Sequence, residues 1–268
     1  MKEKVTIVKV GGAIVEDEAQ LSQLLKDFSA IPGKKILVHG GGRRATQIAS
    51  SLGIESKMVN GRRITDGDML QVVTMVYGGL VNKNVVARLQ ANGINALGLT
   101  GADMNVIRAH RRPVVKLADG QSIDYGFVGD VEAVDGTLLS MLLEKDIIPV
   151  MAPLTHDGQG NILNTNADTI ASETAKALAA AYDVTLIYSF EKKGVLANPN
   201  DEDSVIPVIT PDSFRQLVAD GTIAGGMIPK LENAFQAIDN GVERVIITLA
   251  TAIDGLHGTI IKKENTVC

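Results

Sequence analysis

Short apolar runs alternate along this chain with stretches in which apolar residues recur every three or four positions. The apolar runs, rich in valine and isoleucine, predict buried strands at residues 5–10, 35–38, 94–99, 147–150, 184–188 and 245–249. The periodic stretches predict amphipathic helices at residues 21–28, 45–52, 66–90, 138–144, 170–178, 211–219 and 228–240. Strands that alternate with helices are typical of an α/β fold.

The middle of the chain departs from this alternation. The dipeptide Asn60-Gly61 predicts a hairpin over residues 55–65, because Asn-Gly is a strong two-residue turn signal. The long helix at 66–90 is expected to break or bend near Gly78-Gly79, and to form a dimer surface or the spine of a first lobe. Alternating runs predict further small antiparallel hairpins, laid over the sheet, at residues 106–109, 114–117 and 123–128.

Composition and charge narrow the class of protein. The chain has 268 residues, of which 45% are hydrophobic and 21% charged, as is ordinary for a soluble globular protein. The length allows either one large α/β unit or two lobes, and no internal repeat or low-complexity linker marks a boundary. Taken as one domain, 1–268, the chain divides by the spacing of its predicted elements alone into lobes 1–180 and 181–268. The formal net charge of −5 gives no general attraction to nucleic acid, so an anionic ligand needs a local basic cluster.

The sequence also favours a cytoplasmic protein. The only cysteine, Cys268, excludes an intrachain disulfide and a thiolate metal cluster and fits a reducing compartment. The N-terminal apolar run is short, is interrupted by Lys9 and is followed by acidic residues, unlike a secretory signal. No apolar run approaches the ~20 residues of a membrane span.

Lys9 interrupts the first apolar run, two residues before the glycine pair Gly11-Gly12. A buried ammonium needs a partner, and glycines at the end of a strand bring backbone N–H groups close to a bound anion. Open α/β sheets bind ligands at such strand ends. The alternative is that Lys9 lies on an edge strand and reaches water, and this stretch alone leaves both interpretations open.

A second glycine turn, His39-Gly40-Gly41-Gly42, lies between a strand and a helix, where the helix N-terminus favours an anion. With Ala45 it also matches the relaxed dinucleotide fingerprint, which suggests a nicotinamide-dependent dehydrogenase. In such enzymes the fingerprint follows the first strand, and an acidic residue ends the next strand about 20 positions later. Here a strand precedes the turn and residues 58–63 contain no acidic residue, so the dehydrogenase interpretation is disfavoured.

Four charged residues elsewhere are candidates for chemistry. Arg62 and Arg63 follow the predicted hairpin turn, either as a carboxylate partner or as a solvated edge. Asp168 directly precedes a helix, where most such residues are only N-caps. Lys230 falls in the first turn of a helix introduced by glycines, and a cation there is unfavourable for the helix dipole. Lys230 is therefore positioned for an anion.

Six motifs together resemble the acetylglutamate kinases of the amino-acid kinase family, in the family's order and over nearly the whole chain. They are Lys9-Val-Gly-Gly, His39-Gly-Gly-Gly, Val59-Asn-Gly-x-Arg63-Ile-Thr-Asp, Gly126-Phe-Val-Gly, Asn164-x-Asn166-Ala-Asp168 and Gly225-Gly-Met-Ile-Pro-Lys230. The resemblance implies a three-layer αβα sandwich around a mainly parallel open sheet, with small β-hairpins over the substrate site. It implies ATP-dependent phosphorylation of the γ-carboxylate of N-acetyl-L-glutamate in arginine biosynthesis, with acyl-glutamate in the first lobe and ATP in the second.

The resemblance also implies roles for individual residues. Lys9 and Lys230 would contact the transferring phosphoryl group, and Asp168 would hold the two lysines. Backbone N–H groups at the glycine turns would bind phosphate or the transition state, at Gly11, Gly12 and Gly41. The acyl-glutamate would be held by Gly41, Gly42, Arg63 and Asn164, and the nucleotide further contacted by Glu191 and Gly194. No metal site is expected: the four histidines lack ligand spacing, so Mg²⁺ would arrive on ATP.

This chain departs from the family pattern in places, so more than one function stays open. Phe190-Glu191-Lys192-Lys193-Gly194-Val195 stands where Ser/Thr-Asp-Val-x-Gly-Val is usual, and Glu191 stands in for the aspartate. Arg43 and Arg44, with Arg62, are surplus cations near the expected substrate site, so N-succinyl-L-glutamate is an alternative acceptor. The chain could also be a kinase of the same fold that acts on carbamate, aspartate or glutamate, or a non-catalytic sensor on this fold.

The expected partners are small-molecule substrates and a second copy of the chain, with no nucleic acid and no membrane. Family members inhibited by arginine carry an extra N-terminal helix that links dimers into hexamers. Here the first predicted strand begins within a few residues of Met1. We therefore expect a homodimer that is insensitive to arginine.

Overall fold

The computed structural model describes residues 2–59, 61–116, 120 and 122–263. Its strands are β1 Glu3–Val10, β2 Lys34–His39, β3 Met58–Val59, β4 Arg62–Arg63, β5 Ala96–Leu99, β6 Ile107–Arg111, β7 Val115–Lys116, β8 Ser122–Ile123, β9 Gly129–Val134, β10 Ile148–Met151, β11 Leu154–His156, β12 Ile162–Asn164, β13 Tyr182–Phe190, β14 Val208–Ile209, β15 Arg244–Leu249 and β16 Thr259–Ile261.

The α-helices alternate with these strands as the apolar periodicity predicts. They are α1 Gly12–Glu16, α2 Glu18–Ala30, α3 Gly42–Ser51, α4 Gly67–Val73, α5 Asn82–Ala91, α6 Gly136–Glu144, α7 Ala167–Leu178, α8 Pro211–Ala219 and α9 Met227–Asp239. A π-helical segment, Thr74–Val81, joins α4 to α5, and a 3₁₀ turn spans Asp103–Asn105.

Eight strands form a central sheet in the order β14-β16-β15-β13-β1-β2-β10-β5. Its paired strands run parallel, except β15 and β16, which are antiparallel. The predicted mainly parallel sheet is therefore confirmed. β1 lies between β13 and β2 near the middle of the sheet. The alternative that Lys9 lies on an edge strand is wrong.

Helices cover both faces of this sheet. On one face pack α2, α3, α4, the π-helical segment and α5, through apolar side chains such as Leu24 and Phe28. On the other face pack α6, α7 and α9. Side chains alternate between faces along a strand, so Val8 of β1 belongs to the first layer and Ile7 to the second. The result is the expected three-layer αβα sandwich.

Small antiparallel elements lie beside the central sheet. β3 and β4 form the predicted hairpin, and its turn residue Asn60 lies outside the described residues. β7 and β8 form another hairpin, and Leu117, at the end of one predicted run, also lies outside them. β6 pairs with β9 rather than with the run that follows it, and the two join β11 and β12 in a four-stranded sheet.

The predicted strands end at 245–249, and the structure adds β16, which returns antiparallel to β15. The regular α-helix is interrupted around Gly78-Gly79, where a break or bend was expected, because the π-helical segment Thr74–Val81 separates α4 from α5. A Cβ on Gly78 would lie 3.4 Å from Leu154 Cδ1, an ordinary packing distance.

Candidate active site

Lys9 lies at the carboxyl end of β1 and faces the layer that contains α7. It continues the face of Val5 and Ile7, since side chains alternate along a strand. Its Nζ lies 2.8 Å from Oδ1 of Asp168, and 9% of the Lys9 side chain is exposed. An ammonium so buried is costly without a charged partner. Asp168 supplies that partner.

Asp168 is free to do so because another residue caps α7. Asn166 is the N-cap, and its side-chain oxygen accepts hydrogen bonds from the N–H groups of Asp168 and Thr169 at 2.7 and 3.3 Å. The carboxylate of Asp168 is left to bind Lys9. The alternative that Asp168 is only a helix cap is therefore wrong.

Lys230 joins this pair from the first turn of α9. Its Nζ lies 4.1 Å from the centre of the Phe190 ring, and Nζ of Lys9 lies 5.2 Å from the same ring. Burial lowers the pKa of Lys230, the charge of Lys9 acts in the same direction, and Asp168 opposes both. Two ammonium groups around one carboxylate leave net positive charge, as the binding of an anion requires.

The two predicted glycine turns pack against each other at the ends of β1 and β2. A Cβ on Gly40 would lie 3.0 Å from the backbone nitrogen of Gly12. A Cβ on Gly41 would lie 2.9 Å from Cδ1 of Tyr77. A side chain on Gly40 would push the two turns apart, and one on Gly41 would clash with the Tyr77 ring, so both close approaches favour glycine.

The helices that begin at this point lack side-chain caps. α3 and α9 have Gly41 and Gly226 as N-cap residues, whose backbone N–H groups and helix dipole are available to an anion. The N-termini of α2, α4, α6, α7 and α8 are instead satisfied by side chains, from Asp17, Asp66, Asp135, Asn166 and Thr210. Free helix N-termini are thus found where the lysines converge.

A cavity of about 830 Å³ is lined by the two lysines, both glycine turns and Asp168. Glu191 and Gly194 line it, as do apolar residues such as Val195 and Ile223. A Cβ on Gly194 would lie 2.8 Å from Oγ1 of Thr259, so packing requires glycine there. Glu191 forms an exposed ion pair with Arg43 at 3.3 Å across the cavity. The volume suits a nucleotide-sized ligand.

A smaller cavity of about 180 Å³ lies on the other side of the second glycine turn, beneath the β3–β4 hairpin. Arg63 and Asn164 both line it. Nη2 of Arg63 donates hydrogen bonds to the Gly42 carbonyl at 2.8 Å and to Thr46 Oγ1 at 3.0 Å. Nδ2 of Asn164 donates to Thr65 Oγ1 at 2.9 Å. Both side chains are thus held rigidly at the cavity wall.

The three surplus arginines lie in different places. Arg43 lines the larger cavity, and Arg62 lines the smaller one. Arg44 lines a separate cavity on the helical face and donates to Gln47 at 3.0 Å. Of these three arginines, only Arg62 lines the smaller cavity. Consecutive residues at the start of a helix point about 100° apart, so only part of such a cluster can face one site.

Several absences can be stated for the part of the chain that the structure describes. Among residues 2–59, 61–116, 120 and 122–263, no cluster of three or more histidine, cysteine, aspartate or glutamate side chains is arranged to hold a metal ion. Within the same ranges, no helix has the length and apolar character needed to cross a membrane.

Comparison with known proteins assigns the chain to a family. The model of the amino acid kinase family matches residues 4–249. The chain belongs to the amino acid kinase family. It is 70% identical over 263 residues to the acetylglutamate kinase of Bacteroides thetaiotaomicron, covering 98% of this chain and all of that one. It is 63% identical over 257 residues to the acetylglutamate kinase of Parabacteroides distasonis, covering 96% and 98% of the two chains.

A solved structure agrees with the fold of this amino acid kinase. The crystal structure of smu.665 from Streptococcus mutans superposes with a TM-score of 0.74 at 30% sequence identity, covering 96% of this chain and 98% of that one. Membership of this family of enzymes excludes the dehydrogenase interpretation of the Gly40-x-Gly42-x-x-Ala45 turn.

Sequence reasoning misses three residues that complete the site of this amino acid kinase: Phe190, His39 and Asn82. In the sequence, Phe190 stands out only as a departure from the family pattern. In the structure, its ring contacts both lysines. His39 is fully buried, and burial lowers its pKa to about 4. Its Nδ1 lies 2.7 Å from the Gly40 carbonyl and its Nε2 lies 3.1 Å from Nδ2 of Asn82. Neutral His39 thereby links the second glycine turn to Asn82 of α5.

Proposed function

We propose that this amino acid kinase transfers the γ-phosphoryl group of ATP to the γ-carboxylate of N-acetyl-L-glutamate, as a step of arginine biosynthesis. The relatives at 70% and 63% identity, both named acetylglutamate kinase, support this substrate. The observation that carries the proposal is that Gly40, Gly41 and Gly42 line both cavities. A phosphoryl donor in the larger cavity and an acceptor in the smaller one would therefore meet at one glycine turn.

In this reaction a carboxylate oxygen of the acceptor attacks the γ-phosphorus of ATP, and the bond to the β–γ bridging oxygen breaks. ADP leaves, and an acyl phosphate forms. The γ-carboxylate has a reference pKa of about 4.3 and is already ionised at neutral pH, so the reaction needs no general base. Catalysis then consists of holding two anions together and neutralising the charge of the transition state.

The cluster of two lysines and one carboxylate has the charge for this task. Lys9 and Lys230 would neutralise the transferring phosphoryl group, while Asp168, 2.8 Å from Lys9, holds the ammonium groups in position. Lys230 is close enough for the Asp168 charge to raise its pKa against the effect of burial. With Asp168 neutralising one of the two cations, the lysines can approach each other at lower electrostatic cost.

Backbone and side-chain groups around the cluster would bind the rest of the two substrates. Amides of Gly11, Gly12 and Gly41 would donate to phosphate oxygens, and Glu191 and Gly194 would contact the nucleotide. The acceptor would be held by Gly41, Gly42, Arg63 and Asn164. We expect Mg²⁺ to enter bound to ATP, where its charge would add to the neutralisation that the lysines supply.

We also infer a cytoplasmic homodimer with an acceptor lobe, residues 1–180, and a nucleotide lobe, residues 181–268. The smaller cavity is lined entirely by residues of the first range, and most of the apolar wall of the larger one comes from the second. Met75 and Leu80 of the π-helical segment are 55% and 50% exposed, which supports a subunit contact there. Light scattering that gives the mass of one chain would contradict the dimer.

ADP release across a set of acceptors tests the proposed function. With MgATP, the protein should release ADP rapidly with N-acetyl-L-glutamate and at background rates with carbamate, L-aspartate or L-glutamate. Faster turnover with one of these three would assign a different kinase of the same fold. Background release with every acyl-glutamate, from a protein that still binds ATP, would support a sensor instead.

A further inference from the structure

Arg43 and Glu191 stand at two places where the chain departs from the family pattern, and the structure pairs them with each other. Nη2 of Arg43 lies 3.3 Å from Oε1 of Glu191, across 148 residues of sequence. Arg43 belongs to the first turn of α3, and Glu191 directly follows β13. Both side chains line the larger cavity. The two departures therefore form one feature of that cavity.

Stability does not explain an arginine at position 43. The side chains of Arg43 and Glu191 are 65% and 61% exposed. Exposed ion pairs contribute little, because water screens both charges and ordering two long side chains costs entropy. A cation in the first turn of a helix is also unfavourable for the helix dipole, and α3 has no side-chain cap at Gly41 to offset it.

The position of Arg43 brings its charge close to the two lysines. Its partner Glu191 directly follows Phe190, whose ring contacts both Lys9 and Lys230. Side chains of a helix tilt toward its N-terminus, so a long side chain in the first turn reaches back toward the glycine turn. Arg43 is therefore a further cation at the wall where the phosphates are expected.

Carboxylates lie on the other side of Arg43. Arg43 and Glu191 also line an adjoining cavity of about 560 Å³, together with Glu16 and Asp17. Asp17 accepts a hydrogen bond from the N–H group of Gln20 at 2.9 Å, and in the part of the chain that the structure describes only Glu191 forms an ion pair with Arg43. Since Arg43 lines both cavities, its charge offsets the repulsion that these carboxylates exert on a phosphate.

We propose that Arg43 leaves Glu191 and binds the β-phosphate of the nucleotide when the nucleotide enters the larger cavity. This rests on the proposed function, in which the two lysines contact the γ-phosphoryl group and leave the neighbouring β-phosphate to Arg43. A guanidinium commonly binds phosphate through two parallel hydrogen bonds, whereas it donates one hydrogen bond of 3.3 Å to Glu191. The exchange also frees Glu191 to contact the nucleotide.

Calorimetric titration with ADP and with AMP, both with Mg²⁺, measures this contact without an acceptor. In Arg43→Met the Kd for ADP should rise by about tenfold or more, the usual value of a hydrogen bond to a charged group. The Kd for AMP should rise much less, because AMP has no β-phosphate, and Arg43→Lys should retain part of the affinity for ADP. The ratio of the two Kd values is measured on one protein sample, so partial unfolding does not change it. An equal rise for both nucleotides, or no rise, would overturn the proposal.

Two other cations serve as comparisons. Arg44→Met removes the same charge from the next residue of α3, which lines a different cavity, so both Kd values should stay within about twofold of the wild type. A loss as large as that of Arg43→Met would show an effect of general charge and reject the contact. Lys192 lines the larger cavity but pairs with Glu202 at 3.1 Å. A selective loss of ADP binding in Lys192→Met and not in Arg43→Met would assign the β-phosphate to Lys192 and overturn the proposal.

Glu191→Gln tests the exchange of partners. It removes the carboxylate that competes for Arg43 and keeps a side-chain oxygen for the nucleotide. The ratio of Kd for AMP to Kd for ADP should therefore rise above that of the wild type, and it should rise more with Arg43 present than in Arg43→Met. A rise of equal size in both backgrounds would show that Glu191 acts on the phosphates directly, and would reject the exchange.

Steady-state rates separate this inference from the proposed function. In Arg43→Met the KM for ATP should rise while the KM for the acceptor changes little. A rise confined to the KM for the acceptor would reject the phosphate contact and leave the kinase in place. ADP binding that depends on Arg43, in a protein that phosphorylates no acyl-glutamate, would reject the proposed function alone. Failure of the wild-type protein to bind ADP would reject both.

Discussion

The ammonium group of Lys230 lies 4.1 Å from the centre of the Phe190 ring, and Lys9 approaches the same ring at 5.2 Å. An aromatic ring attracts cations through its negative face, and such contacts contribute about 0.5–2 kcal/mol. Phe190 thereby holds two like charges on one surface, while Asp168 neutralises one of them. The ring is a positioning element for the two lysines.

Replacing Phe190 by leucine should therefore lower kcat by about twofold to thirtyfold, the range that corresponds to a cation–π contact. KM for the acceptor should change less, because Phe190 lines the larger cavity and not the smaller one. Phe190→Tyr keeps an aromatic face and should restore most of the activity. Equal kcat in the leucine variant and the wild type would show that the ring only fills space.

Lys230→Met should lower kcat by orders of magnitude with little loss of stability. The substitution keeps most of the side-chain volume and removes a charge that stabilises the transition state. Because burial lowers the pKa of Lys230, its charge destabilises the folded protein, and methionine relieves this cost. Activity within a few-fold of the wild type, with a lower melting temperature, would make Lys230 structural.

Asp168 and Asn166 form a matched pair of variants at the start of α7. Asp168→Asn should lower kcat by about tenfold or more, and it should also lower the melting temperature, because the buried ammonium of Lys9 loses its charged partner although Asn166 still caps the helix. Asn166→Ala should lower the free energy of unfolding by about 1 kcal/mol, the usual value of an N-cap. Denaturant unfolding and steady-state rates on both variants separate the two roles. A destabilised Asp168→Asn with normal turnover would reverse the assignment.

His39 predicts a pH dependence of stability. Its pKa is about 4 in the folded protein, below the ordinary 6.5 of an unfolded chain, because burial disfavours the charged ring. Between these values only the unfolded chain takes up the proton. The free energy of unfolding should therefore be highest above about pH 6.5 and fall by up to about 3 kcal/mol as the pH drops to about 4.

The variant His39→Gln isolates this contribution. Glutamine keeps a donor for the Gly40 carbonyl and an acceptor for Asn82 but does not titrate in this range. Its free energy of unfolding should lose less than that of the wild type between pH 6.5 and 4. Parallel pH profiles for the two proteins would show that His39 is not the group responsible.

The alternation of apolar runs and helical periodicity was enough to predict an α/β fold and the strand that carries Lys9, whereas the helical layers around a mainly parallel sheet were implied by the resemblance to the family. Pairing between distant strands was harder, because β6 and β9 are separated by the β7–β8 hairpin and β16 is a run of only three residues. Short strands carry too little periodicity to be recognised without their partners.

The two lysines of the site were found in the sequence because each conflicts with its local environment. Lys9 lies in an apolar strand and Lys230 at the positive end of a helix, and such conflicts mark function. Phe190 and His39 cause no local conflict in a buried strand. Their contacts depend on which strands and helices become neighbours. Which cavity each of the side chains of Arg43, Arg44 and Arg62 lines likewise depends on the tertiary structure.

Trapping of the acyl phosphate tests the central claim most directly. With [γ-³²P]ATP, Mg²⁺ and an acyl-glutamate, the wild-type protein should move the label from ATP to the acceptor in a single turnover. Added hydroxylamine should then convert the product to a γ-hydroxamate, with release of labelled phosphate in equal amount. Label that appears only as inorganic phosphate, with no hydroxamate, would contradict phosphoryl transfer to the γ-carboxylate.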